Sequence, residues 1–206
     1  MQVGGKQGDR LVALARAGDE AALRALWAEN RRWVAAVIIT HKPTRADLDD
    51  ILQDVAATLC QKVQDVEDEA AFRGWLRMVA VNAARLAGRK QEVRQRHAAQ
   101  HAAMQGDEIR SGQGGQGGTS ASGGGIVPGQ MSEEAQKVLE AARSLPPEYS
   151  EPLLLRAVQG LSYRAIGQIM ELPETTIETR IARARRMLRD TLDRQQSGTL
   201  AGARLK

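Results

Sequence analysis

A chain of 206 residues carrying a net charge of +4 is long enough for one domain or two small ones. Its single Cys excludes an internal disulfide framework and fits a reducing compartment. No apolar run approaches the roughly 18 residues that span a bilayer, and the start MQVGGKQGDR lacks the apolar core of a signal peptide, so the expectation is a cytoplasmic protein without membrane insertion.

Aromatic residues make up 3% of the chain, while Ala, Leu, Arg and Gln are plentiful, which leaves almost no strand signal and predicts an all-α fold. Ten of the 20 Gly lie between Gly106 and Gly129. That concentration divides the chain into a helical domain over residues 1–90, a flexible Gly/Ser/Gln-rich linker over 91–131, a second helical domain over 132–196 and a frayed tail over 197–206.

In chain order, Leu11 to Ala17 reads as a short helix stopped by Gly18, and Asp19 caps a longer one through Leu23, Leu26, Trp27, Trp33, Val34 and Val37. Pro43 turns the chain before the next helix, in which Leu48, Leu52, Val55, Leu59 and Val63 line one side and Asp47, Asp50, Asp54 and Gln61 another. From Asp47 to Glu69 there are eight acidic residues against Lys62 alone. A face so charged repels a phosphate backbone, so any partner it has is protein.

The sign then inverts. Phe72 to Lys90 holds Arg73, Arg77, Arg85, Arg89 and Lys90 and no acid. Phe72, Leu76, Val79, Ala83 and Leu86 are the expected buried stripe, with Trp75 and Asn82 at its border and Arg77, Val81 and Arg85 pointing away. A basic face with an amide and an aromatic border suits nucleic acid, including single strands whose bases stack or are pocketed. The helical pattern continues through QEVRQRHAAQHAAMQ, where His97 and His101 have helical metal-pair spacing but no third donor nearby, so no metal site is expected.

Ser132 caps a helix through Val138 and Ala142, and LPPE opens the next one, Tyr149 to Val158, which stops at Gly160. Leu161 to Leu188 then reads as two helices joined by a tight turn. Ser162 is the N-cap of the first, with Tyr163, Ile166, Ile169 and Met170 as its apolar side. Pro173 breaks the pattern, and Gly167 permits close approach of the two crossing helices. In the second, Ile177, Ile181, Ala184, Leu188 and Leu192 recur at helical steps, and the other face carries Thr175, Thr176, Thr179, Arg180, Arg183 and Arg186. Short hydroxyls near a helix start with guanidinium groups further on can bond base edges and phosphates. No apolar pair of carboxylates, nucleophile–base arrangement or phosphate-cradling Gly loop occurs, so neither an enzyme nor a cofactor is expected. A stand-alone helix–turn–helix repressor is the alternative, although no heptad or leftover apolar face supplies its dimer surface.

Four segments taken in order, GDEAALRALW, DLDDILQDV, AAFRGWLRMVAVNAAR and LPPEYSEPLLLRAVQGLSYRAIGQIMELPETTIETRIARARRML, resemble the extracytoplasmic-function class of bacterial RNA polymerase sigma factors. The resemblance implies a region 2-like bundle and a region 4-like helix–turn–helix in a dissociable specificity subunit without enzymatic activity. It implies that Asp50, Gln53 and Asp54 dock on the clamp coiled coil of core polymerase. The loop Gln64 to Ala71 with Arg77, Asn82 and Arg85 matches the part that captures the opened −10 element of promoter DNA. Thr175, Thr176, Thr179, Arg180 and Arg183 match the helix that reads the −35 element. An anti-sigma factor is the further partner that the resemblance implies. Ala56 and Cys60 stand where the family is bulkier, and Glu174 and Glu178 stand where small or basic residues are common.

Overall fold

The computed structural model describes the backbone of residues 4–68, 70–104 and 132–203, and side chains from 8 to 194 except 69, 94, 95 and 97–131. Among these residues there are eight α-helices and no strand: α1 (Gly4–Arg16), α2 (Glu20–His41), α3 (Leu48–Lys62), α4 (Phe72–Met104), α5 (Glu133–Arg143), α6 (Pro147–Gln159), α7 (Tyr163–Met170) and α8 (Glu174–Ala203), with one 3-10 turn at Val63–Asp65 after α3. The all-α expectation holds. The Gly-rich stretch lies outside the described residues, and positions 90 and 196, expected as domain edges, fall inside α4 and α8.

The helix starts are set by the side chains that the sequence offers there. Asp19 accepts from the Ala22 amide at 2.9 Å, Ser132 from Ala135 at 3.2 Å and Ser162 from Ala165 at 3.1 Å. Each such cap satisfies an orphan amide and stabilises its helix by about 1 kcal/mol. Asp47, expected on the acidic face, caps α3 instead and accepts from Asp49 and Asp50. Pro146 and Pro147 open α6, and Gly160 ends it in the left-handed region at φ 64°, where a residue without a Cβ is unstrained.

The first half packs α2 against α1, α3 and α4. Leu26, Val34, Ile51, Val55, Leu59, Leu76 and Ala80 are sealed from solvent. Asn30 is buried among them with both ends satisfied: its amide donates to the Leu26 carbonyl at 2.7 Å, and its oxygen accepts from the Trp33 indole at 2.7 Å. In the second half α6, α7 and α8 enclose Leu155, Ile166, Ile169, Ile177, Ile181 and Ala184.

The two halves are docked on each other rather than separate. Helix α6 lies along α2, and α7 along α4, so one apolar core runs through both. This accounts for the C-terminal part of α2, where Ala36, Val37, Ile38 and Ile39 are all buried. Four successive residues point all round a helix, and all are covered only when partners lie on opposite sides.

Docking also corrects the expected stripe of α4. Phe72, Leu76, Ala80 and Ala84 are buried together with Val81, which was expected outward, whereas Leu86 is 42% exposed and Val79 and Ala83 are only half-buried. Steps of four residues advance about 40° each around a helix. The covered face therefore drifts towards Val81 and away from Leu86, and the second half, which meets α4 through α7, adds to the cover.

Candidate functional site

Three surfaces gather the residues singled out by sequence. On α3, Asp50, Gln53 and Asp54 are exposed and line a concavity of about 540 Å³ with Arg45, Ala87, Lys90 and Gln91. The acidic face is thus edged by two cations from neighbouring segments. Asp49 is drawn aside by Arg31 of α2, 3.3 Å away, in an exposed pair worth little to stability. Ala56 and Cys60, one turn apart, border an apolar groove with Leu23, Trp27 and Leu59. The small side chains leave the α2 aromatic partly uncovered.

The basic residues of α4 do not share one face. Asn82 and Arg85, three positions apart, are both exposed, whereas Arg77 lies about 140° round the helix from Asn82 and is engaged. Its Nε donates to Oε1 of Glu151 at 2.5 Å and its Nη2 to Oε2 at 3.0 Å. Glu151 comes from α6, in the other half of the molecule, and its side chain is 1% exposed. His41, the last residue of α2, places Nε2 2.9 Å from the same Oε2. Burial pushes the Glu151 carboxyl up, but the hydrogen bonds from His41 and Arg77 and their charges outweigh it and hold the group below the ordinary glutamate value. The carboxylate is therefore ionised in the interior, held by donors on two helices of the first half.

The loop before α4 is ordered by two local devices. Val66 is buried beneath it, and Asp68 accepts from the Ala71 amide at 2.7 Å. Gln64, Asp65, Glu67, Asp68 and Ala70 face solvent. Trp75 packs on Phe72, with ring centroids 6.2 Å apart, and is partly buried against the core, so its aromatic face serves packing at least in part.

The third surface is the helix–turn–helix. Helix α7 closes with Glu171 in the left-handed region at φ 55°, and the Leu172 amide bonds back to the Gly167 carbonyl at 3.0 Å. A Cβ on Gly167 would lie 2.6 Å from the Leu172 carbonyl oxygen. The glycine is thus required by the turn backbone, not by the crossing of the two helices. Pro173 then accepts from the Thr176 and Ile177 amides and starts α8.

On α8 the five expected residues converge. Thr175, Thr176, Thr179, Arg180 and Arg183 line one concavity of about 350 Å³ together with Glu148 and Tyr149 at the start of α6. The Arg183 guanidinium donates to the Tyr149 hydroxyl at 3.1 Å and lies 5.9 Å from its ring centroid. That hydrogen bond raises the Arg183 pKa above its ordinary value. Thr179 donates to the Thr175 carbonyl at 2.9 Å, which leaves its oxygen lone pairs facing outward as acceptors. Glu174 and Glu178 are exposed along the same helix.

These two halves match two family models, Sigma-70 region 2 over residues 26–93 and Sigma-70 region 4 over residues 135–188. The chain is an extracytoplasmic-function sigma factor of the sigma-70 family. It is 27% identical over 191 residues to the ECF RNA polymerase sigma-E factor of Haemophilus influenzae, an alignment covering 88% of this chain and 93% of that protein. The corresponding protein of Escherichia coli K12 is 27% identical over 180 residues, covering 85% and 88%. Among solved structures, CnrH in complex with the cytosolic domain of CnrY shares the fold with a TM-score of 0.57 and 24% identity over 90% of this chain and 97% of that one.

Within this sigma factor, sequence reasoning missed Tyr149, Glu151 and His41. Glu151 was detectable: it stands three, four and seven positions before Leu154, Leu155 and Val158, on the apolar stripe of its own helix. A carboxylate there needs a buried partner. Among the described residues, no group of three or more His, Cys, Asp or Glu could hold a metal ion, and no helix is long and apolar enough to cross a membrane. The side chains of His97 and His101 lie outside the described residues.

Proposed function

We propose that this sigma factor binds core RNA polymerase and directs it to promoters whose −10 and −35 elements it reads with separate halves, acting by binding alone and in the cytoplasm. The domain over 1–90 docks on the clamp coiled coil through Asp50, Gln53 and Asp54 and captures the opened −10 strand with the loop 64–71 and with Arg77, Asn82 and Arg85. Unstacking costs a few kcal/mol, which pocketing a base and pairing phosphates with Arg offset. The domain over 132–196 reads the −35 duplex with Thr175, Thr176, Thr179, Arg180 and Arg183, and the linker 91–131 spans the two sites. An anti-sigma factor that covers the same faces is the natural inhibitor.

The convergence of the five α8 residues on one exposed concavity, with α3 presenting the opposite charge elsewhere, carries this reading. A duplex enters the basic site and is repelled from the acidic one. Run-off transcription by core polymerase on DNA from upstream of the chain's own gene tests it, with core binding scored in the same tube. One defined start dependent on the chain is expected, and Asp50→Arg abolishes core binding while duplex binding by α8 persists. No start and no core binding by the folded protein would replace this reading with the repressor.

A further inference from the structure

The Glu151 carboxylate occupies a site made by the other half of the molecule. Arg77 meets it side-on through two nitrogens, and His41 Nε2 reaches the same Oε2. Three nitrogens thus converge on two oxygens of one anion. A guanidinium fork presented in this way fits the two free oxygens of a phosphodiester as well as those of a carboxylate. The cations at the centre belong to the first half and the anion to the second, so separating the halves leaves both donors facing an empty site.

We propose that His41 and Arg77 form a phosphate-binding pocket for the promoter strand, and that Glu151 fills it as an internal stand-in anion while the halves are docked. The proposal rests on the sigma reading for the identity of the strand, and it adds His41 as a binding residue and Glu151 as its competitor. Strand binding at Arg77 and docking of the halves are mutually exclusive. Whatever opens the chain raises its affinity for the strand, and by linkage the strand opens the chain. Opening also rehydrates a buried carboxylate and both donors, so the ionic contact sets where the halves dock more than how tightly.

The test uses the full chain labelled at its single cysteine, the exposed Cys60, and at a second cysteine introduced at the exposed position 178, with energy transfer reporting the separation of the halves. The probe is a fluorescent single-stranded deoxyoligonucleotide followed by anisotropy. Adding it to the otherwise unaltered chain is expected to lengthen the label distance. Glu151→Gln is expected to bind it roughly 5- to 150-fold more tightly, the usual span of such couplings, and His41→Ala or Arg77→Ala in that background removes the gain. Binding at an unchanged label distance would overturn the proposal, as would a gain that survives His41→Ala. The arm on the unsubstituted residues needs no folded variant. No polymerase is involved, so a chain that passes here but never binds core loses the sigma reading alone, and one that transcribes but fails here loses only the pocket.

Discussion

Removing either partner of the Arg77–Glu151 pair has unequal consequences that the burial of each dictates. With Arg77→Met, the Glu151 carboxylate stays at 1% exposure with His41 as its remaining donor. Breaking a buried pair in this way costs about 3–5 kcal/mol. With Glu151→Met, the buried charge itself is gone, and Arg77, whose side chain is 29% exposed, turns to water. His41, whose side chain is 9% exposed, loses its acceptor, which costs about 1–3 kcal/mol, so a loss smaller than that of Arg77→Met is expected. A ceiling applies to the first variant, because a cost above the docking free energy is relieved when the halves separate and Glu151 is hydrated. Differential scanning calorimetry with urea melts measures both: Arg77→Met is expected to lower stability more than Glu151→Met and to split one transition into two. If Glu151→Met proves as damaging as Arg77→Met, the assignment of the cost to an uncompensated buried carboxylate is wrong.

Glu151 has a lowered pKa in the folded chain, so the stability it contributes is present above its unfolded value and disappears as pH falls through the folded one. Melts between pH 6 and 3 should show a loss that sets in below the ordinary glutamate value of 4.5 and is absent in Glu151→Gln. Gly167→Ala pits helix propensity, worth about 1 kcal/mol in favour of Ala, against a 2.6 Å contact with a backbone carbonyl; overpacking costs about 1–3 kcal/mol, so a lower Tm and weaker duplex binding are expected, and a raised Tm would show that the turn yields freely. Tyr149→Phe keeps the ring under Arg183 and deletes the hydrogen bond, which should weaken duplex binding several-fold with Tm almost unchanged. Loss of Tm with unaltered affinity would make Tyr149 a packing residue only.

Much of the fold was legible because its signals are local. Asp19, Ser132, Ser162, Pro147 and Gly160 act within four residues of themselves, and a cap or stop of that kind reads the same in any tertiary setting. The stripe Ile177–Ile181–Ala184 was legible for the same reason: its period names a face, and that face is buried. What escaped was each residue whose environment comes from an element distant in the sequence. Arg77 looked free to meet nucleic acid because nothing within seven positions is acidic, while its partner lies 74 residues on. Val81 looked exposed because the stripe was drawn for one packing partner, and α4 has more than one. Tyr149 joined the α8 site only because α6 folds back against α8. Composition at Glu151 and the unbroken apolar run at the end of α2 carried traces of this, since both are hard to satisfy in an isolated half.

That run has a practical consequence for dissection. A first half cut away after α4 would present the side of α2 that α6 now covers, with Ile38, Ile39 and their neighbours newly wetted on part of their surface, and a patch of that kind invites self-association. Produced as two polypeptides in the same solution, the fragments should instead find each other, because the greasy wall of one and the seam of the other are complementary and the carboxylate of the second fits only one seat on the first. The molecule is in this sense a heterodimer whose partners share a chain, and joining them makes their encounter an intramolecular one.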